Sequence, residues 1–392
     1  MRALHVITGL GVGGAELQLR MLLRRLPADC DVVTLTNPGP VADGIEADGR
    51  TVVHLGMAGN RDLGALPRLV SLIRRGRYDL VHTHLYRACV YGRLAARAAG
   101  VRAVVATEHS LGDAQIEGRP LTRSARGLYL ASERLGSTTV AVSETVAGRL
   151  RDWGVPGPRI ETIPNGIEAS RFRYDPRARV DARSAAGLPS GAFVVGGVGR
   201  LVPGKRFDLL LRAVAAAPGT WLLLVGDGPE RPALERLAAV LGVTDRVLLC
   251  GERGTADGPD AGVGQEALPL PALLSAMDVF VSPSAEEAFG LAVLEALAAG
   301  LPVRHTACPA VEELPAADAP GARRVADDPA ELTAELVRLR QAGAARLPVP
   351  AAVDRYDIAR SAERLMGVYR RVALPNRRSH RDEPSHERDI AG

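Results

Sequence analysis

The chain has 392 residues, 46% of them apolar, and a formal charge of only +4. That length exceeds a single hydrophobic core, so two domains are expected, and 4% aromatics leave little with which to stack nucleobases, so no nucleic-acid partner is expected. No stretch approaches the roughly 18 apolar residues of a membrane span, and the four scattered cysteines (Cys30, Cys89, Cys250 and Cys308) provide neither a zinc motif nor a disulfide framework.

Residues 3–8 have the pattern of a strand, Gly9-Leu-Gly-Val-Gly-Gly14 that of a tight loop, and residues 15–26 helical spacing. Gly9, Gly11 and Gly14 formally fit the dinucleotide fingerprint, with Asp29 or Asp31 following at about the right distance. Strand patterns recur at 32–36, 51–55, 80–83, 103–107 and 138–142, with helical stretches such as 66–75 and 88–99 between them. This is the βαβ rhythm of a parallel sheet. His82 and His84 read as architectural, and His109 stands at a strand end. Residues 112–134 read as a loop running into a basic amphipathic helix that is solvated on one side. The carboxylates Glu108, Asp113 and Glu117 lie in or beside this segment and would suit a cationic ligand. Residues 1–172 hold 22 Arg against 16 acidic residues, so the first half is basic. Residues 175–191, with Pro176 and Pro189, read as the linker into the second domain.

That domain opens with a strand near 192–198, the turn Gly199-Arg-Leu-Val-Pro-Gly-Lys205, and a helix. Lys205 is the sole lysine among 49 basic residues, which points to a need for a compact ammonium that Arg does not meet. Arg206 follows it where a Walker loop would carry Ser or Thr. Strands at 221–225 and 247–250 precede a glycine-rich loop at 252–265. The next stretch carries the chemistry. A strand at 278–281, the breaker Ser282-Pro-Ser284 and a helix at 290–299 ended by Gly300 set Glu287 in a loop and Glu295 within the helix. The N–H groups of Phe289, Gly290 and Leu291 would lie free at that helix start, where phosphate binds. Helices at 328–341 and 356–372 follow, and residues 375–392 have the composition of a disordered tail.

Glu287 and Glu295 with Phe289-Gly290 between them, Gly199-Arg-Leu-x3-Lys205, and the loop Gly13-Gly14-Ala-Glu16 together resemble the retaining glycosyltransferases of the GT-B fold, family 4. The resemblance covers about residues 1–372. It implies an α/β, GT-B fold, two Rossmann-like domains facing an interdomain cleft. Residues 1–170 would form the acceptor side, with helix 355–372 packing back on it, and residues 171–354 would hold the nucleotide sugar. The family departs here after Pro302, where Val303-Arg-His305 replaces its usual glycine pair.

By the same resemblance, Glu287 and His109 would serve the sugar as catalytic groups. Arg200 and Lys205 would neutralise the diphosphate beside Gly13, Gly14, Phe289, Gly290 and Leu291, and Glu295 would hold ribose. Glu16, Glu108, Asp113 and Glu117 would meet the acceptor. No metal and no cofactor are expected. The partners are a nucleotide-sugar donor, expected to be a UDP-sugar, and a small-molecule acceptor such as a 2-deoxystreptamine-type aminocyclitol in antibiotic biosynthesis. A lipid-linked or polysaccharide acceptor, met by peripheral membrane contact through the basic half, is the alternative; an NAD-dependent oxidoreductase is a distant one. With no leader pattern at residues 1–15, a cytoplasmic monomer or homodimer is expected.

Overall fold

The computed structural model describes residues 1–59, 62–112, 115–116, 119–253, 268–343 and 345–373. Asp113, Glu117, most of the glycine-rich loop and the tail therefore lie outside the described residues. The strands are β1 (Arg2–Gly9), β2 (Asp29–Asn37), β3 (Val52–His54), β4 (Leu80–His84), β5 (Val104–Glu108), β6 (Gln115–Ile116), β7 (Arg119–Pro120), β8 (Thr138–Ala141), β9 (Ile160–Thr162), β10 (Phe193–Val198), β11 (Thr220–Val225), β12 (Val247–Leu249), β13 (Val279–Ser282), β14 (Val303–His305) and β15 (Ala322–Arg324). Runs such as Val104 to Glu108, buried at every position, are what a parallel sheet with helices on both faces demands.

Two such sheets form. The first has the order β3-β2-β1-β4-β5-β8-β9 and the second β12-β11-β10-β13-β14-β15, and every adjacent pair is parallel. In each, chain order reverses beside the first strand, between β1 and β4 and between β10 and β13. Ligands of open parallel sheets bind outside the strand ends at such a switch point. The loops there are Gly9 to Gly13 after β1, Gly199 to Arg206 after β10, and Pro283 to Gly290 after β13. The architecture is thus α/β of the GT-B type.

The final helix, Ile358–Ala373, leaves the second sheet and packs on helix Gly14–Arg25 of the first. At the crossing, Ile167 N–H donates to Tyr356 O (2.8 Å) and Ile358 N–H to Ile167 O (3.2 Å). The approach needs glycine, because a Cβ on Gly166 would lie 2.6 Å from Ile358 Cα. The two sheets are also tied by Ser143 Oγ donating to Ala288 O (2.7 Å), by Arg149 paired with Glu286 (2.7 Å), and by Glu313, which accepts from Glu144 N–H, Thr145 N–H and Thr145 Oγ.

Two sequence expectations fail locally. The expected linker at 175–191 contains a ten-residue helix, Pro176–Ala185, capped by Asp175, whose Oδ1 accepts from Arg177 N–H and Ala178 N–H. Asp before Pro is a helix start that its prolines and scarce apolar residues disguised. The expected loop after residue 112 carries the antiparallel pair β6–β7 before helix Arg123–Glu133. Among the described residues no helix is long and apolar enough to cross a membrane.

Candidate active site

The loop after β13 and the turn after β10 meet directly. Ala285 N–H donates to Gly204 O (3.1 Å), which brings Lys205 Nζ onto Glu287 Oε1; Ser284 Oγ donates to the same oxygen at 2.8 Å. Lysine and glutamate thus hold each other, each with part of its side chain exposed, and Lys205 also packs along Gly199. Arg200 is exposed, and no group among the described residues pairs with its guanidinium.

Beyond Glu287 the chain turns sharply. Phe289 is buried, edge-on to Tyr356, and its carbonyl accepts from Ala310 N–H (2.9 Å). Gly290 takes φ +109° and begins helix Leu291–Ala298. Only glycine fits there, since a Cβ would meet Cys308 Sγ at 2.4 Å. Among the described residues nothing accepts from the N–H groups of Gly290 or Leu291, so this helix start presents free donors. Glu295 lies one turn inside the helix, half-buried, with no charge partner among the described residues. Burial pushes its carboxyl up to about 7.

The opposite wall comes from the first sheet. Gly13 and Gly14 start helix Gly14–Arg25, and a Cβ on Gly14 would lie 3.5 Å from Leu291 Cδ1. This contact sets the glycine loop against the free helix start of the other domain. Glu16 folds back over Gly13, its Oε2 lying 2.5 Å from where a Cβ would stand. The site therefore collects Arg200 and Lys205, the three carboxylates Glu16, Glu287 and Glu295, and unpaired amides beside a glycine loop. Such a set suits a ligand carrying a doubly anionic linkage and several hydroxyls.

Two expected residues are turned away from it. Glu108 is buried and spent inside the first domain, where its Oε1 accepts from Tyr129 OH (2.8 Å) and Cys89 Sγ (3.4 Å), beside buried Arg93. It forms no part of an acceptor surface. As the last residue of β5 it follows the inward face, and a buried arginine across from it supplies the reason a carboxylate is tolerated there. His109 also turns inward rather than to the cleft. Its Nε2 lies 3.1 Å from His84 Nδ1, and its Nδ1 is buried with no partner. Burial lowers its pKa to about 4, so the ring is neutral at pH 7. Sequence reasoning missed Ser284 and the contacts between the sheets made by Arg149 with Glu286 and by Glu313 with Glu144 and Thr145. Ser284, three residues before Glu287, was the one with a local signal.

Comparison with known proteins shows the family. A family model described as Glycosyltransferase Family 4 matches residues 12–171, and one described as Glycosyl transferases group 1 matches residues 192–342. A D-inositol 3-phosphate glycosyltransferase of Acidothermus cellulolyticus is 32% identical over 342 residues, which cover 80% of this chain and 72% of that protein. A 2-deoxystreptamine glucosyltransferase of Streptomyces kanamyceticus is 29% identical, over 69% of this chain and 74% of its own length. Against two Salinispora D-inositol 3-phosphate glycosyltransferases the match spans about half of their length, 49% and 53%. The crystal structure of Anabaena Alr3699/HepE in complex with UDP and glucose shares the fold, with a TM-score of 0.79 over 94% of this chain and 98% of that one at 22% identity.

Proposed function

The chain belongs to glycosyltransferase family 4, and from that premise we propose that it is a glycosyltransferase that moves a hexosyl or amino-hexosyl group from a UDP-sugar to a hydroxyl of a cyclitol, with retention of configuration. The observation that carries the donor half is the meeting of Lys205, Glu287 and the free helix start at Gly290 under the Gly13–Gly14 loop. In this reading the diphosphate lies between the unpaired amides and the cations Arg200 and Lys205, which neutralise charge as the sugar–phosphate bond breaks, with no metal required. Glu295 holds the ribose hydroxyls. Glu287, released from Lys205 by the arriving diphosphate, faces the sugar as it gains positive charge. The acceptor attacks from the face the phosphate leaves, and that phosphate takes the hydroxyl proton. In this reading His109, buried and bonded through Nε2 to His84, takes no proton from the acceptor.

The acceptor half rests on the relatives. One is named for D-inositol 3-phosphate and another for 2-deoxystreptamine, and both names carry a six-membered carbocyclic polyol. In this reading Glu16, folded over Gly13, meets such a ring. The test is to incubate the protein with UDP-glucose or UDP-N-acetylglucosamine and either 2-deoxystreptamine or D-inositol 3-phosphate, with and without EDTA, and to read products by mass spectrometry and the anomeric coupling by NMR. An α-linked cyclitol glycoside, formed equally in EDTA, is expected. Transfer solely to lipid-linked saccharides, or stabilisation by NAD rather than UDP, would overturn the reading.

A further inference from the structure

The first domain holds a row of imidazoles that the transfer chemistry does not use. His5, His82 and His84 offer ligand atoms within 4.8 Å of one another, as a metal site would. All six of their ring nitrogens are already in hydrogen bonds, however, so no lone pair is kept open for a cation. The bonds run instead in single file, from Thr107 Oγ1 through His82, Tyr369 OH, His5 and His84 to His109. Burial lowers the pKa of every ring in the row, to about 3 for His5 and about 4 for His109, so each is neutral with one N–H and one lone pair.

A file of such groups has a direction, and the Tyr369 link sets it. The Tyr369 OH to His82 Nδ1 distance is 2.6 Å, a length ordinary for an O–H donor and short for an N–H donor. A donating Tyr369 fits that length, and in that arrangement His82 keeps its proton on Nε2 and donates to Thr107 Oγ1 at 2.7 Å. On the other side the Tyr369 oxygen accepts from His5 Nε2 (3.4 Å), His5 Nδ1 from His84 Nε2 (3.0 Å), and His84 Nδ1 from His109 Nε2 (3.1 Å). Two groups are left over, one at each end: the Thr107 hydroxyl proton and the His109 Nδ1 lone pair. Both residues line one cavity of about 20 Å³, walled also by Gln18, Asn165 and Ser361, and His109 Nδ1 is buried without a partner. A polar cavity needs about 10–15 Å³ to take a water.

We propose that this cavity is a site for one ordered water, which accepts from Thr107 Oγ1–H and donates to His109 Nδ1, closing the file into a ring and fixing His109 as the Nε2–H tautomer. The inference goes beyond the transfer reading and does not depend on it. The test is long-range ¹⁵N–¹H NMR on the full chain labelled at histidine, with His109 signals assigned by their loss in His109→Gln. The wild type should show His109 protonated on Nε2. Tyr369→Phe removes the donor that sets the direction, and Thr107→Val removes the water's donor; in each the His109 tautomers should mix. If Tyr369→Phe fails to fold, Thr107→Val carries the test. A crystal structure should show one water within hydrogen-bond reach of both end groups. Protonation of His109 on Nδ1, unchanged tautomers in the folded variants, a dry cavity, or one equivalent of bound transition metal in the purified protein would each overturn the proposal.

Discussion

Glu295→Gln separates two consequences of one side chain. Burial raises the carboxyl from 4.5 to about 7, so the folded chain binds this proton more tightly than the unfolded chain does. The sign follows directly: stability from the neutral acid is fully present below pH 4.5, declines as pH rises to about 7, and is level above that. At about 1.4 kcal/mol per tenfold change in proton affinity, the charged form costs at most about 3 kcal/mol at pH 8. Glutamine keeps the shape and cannot ionise. With unfolding entropy near 2.1 cal/mol/K per residue, the variant should melt up to about 4 °C higher than wild type at pH 8, and the difference should vanish near pH 4. The same substitution removes a charged acceptor for ribose hydroxyls, so UDP should bind about 10–100-fold more weakly. Scanning calorimetry from pH 4 to 8 and UDP titration calorimetry read the two effects. Parallel melting profiles would refute the buried acid, and an unchanged Kd for UDP would refute the ribose contact.

Lys205→Ala should weaken UDP binding by roughly 10–100-fold, the usual loss for a charged hydrogen bond, while Glu287→Ala should abolish transfer and leave UDP binding within about threefold; product assays and calorimetry check both. Gly290→Ala forces a side chain into φ +109° and onto Cys308 Sγ, so about 1–3 kcal/mol of stability should be lost in urea unfolding, with kcat falling as the helix start shifts. Glu335 is held down to about 2 by its hydrogen bonds to Arg338 and Arg304. Its contribution is therefore present above pH 4.5 and lost as pH falls toward 2. Glu335→Gln, which leaves Arg304 buried and unpaired, should cost about 3–5 kcal/mol at pH 7 and progressively less in acid, read from urea midpoints.

Much of the architecture was legible because parallel sheets write themselves plainly. The apolar runs at β1, β5, β10 and β13 are short and almost wholly buried, and those of β1, β10 and β13 end at glycine or proline. The donor-side loops were legible for a related reason: Gly290 and Gly199 sit where only glycine fits or where φ is positive, and that need shows in the residue itself. What stayed hidden depends on distant partners. Nothing around Glu108 announces that Tyr129 and Arg93 lie beneath it. The inward turn of His109 depends on His84 from the neighbouring strand, and the histidine row on Tyr369, which is 287 positions from His82 in the chain. Helix Pro176–Ala185 escaped because its arginines look solvated, whereas Arg179 and Arg183 both clasp Asp278.

The return of helix Ile358–Ala373 to the first sheet gives the molecule an unusual order of assembly. The domain of residues 1–170 cannot be finished until residue 369 has emerged from the ribosome, because Tyr369, Leu365 and Val368 fill its core. During synthesis the second domain can close around its own strands while the first waits with an uncovered flank beside helix Gly14–Arg25. A chain interrupted before residue 358 would keep every donor-side residue named above and still lack a completed partner wall for the cleft. Helix Ile358–Ala373 is therefore a keystone shared by both halves, on which the first domain's core and one wall of the cleft depend together.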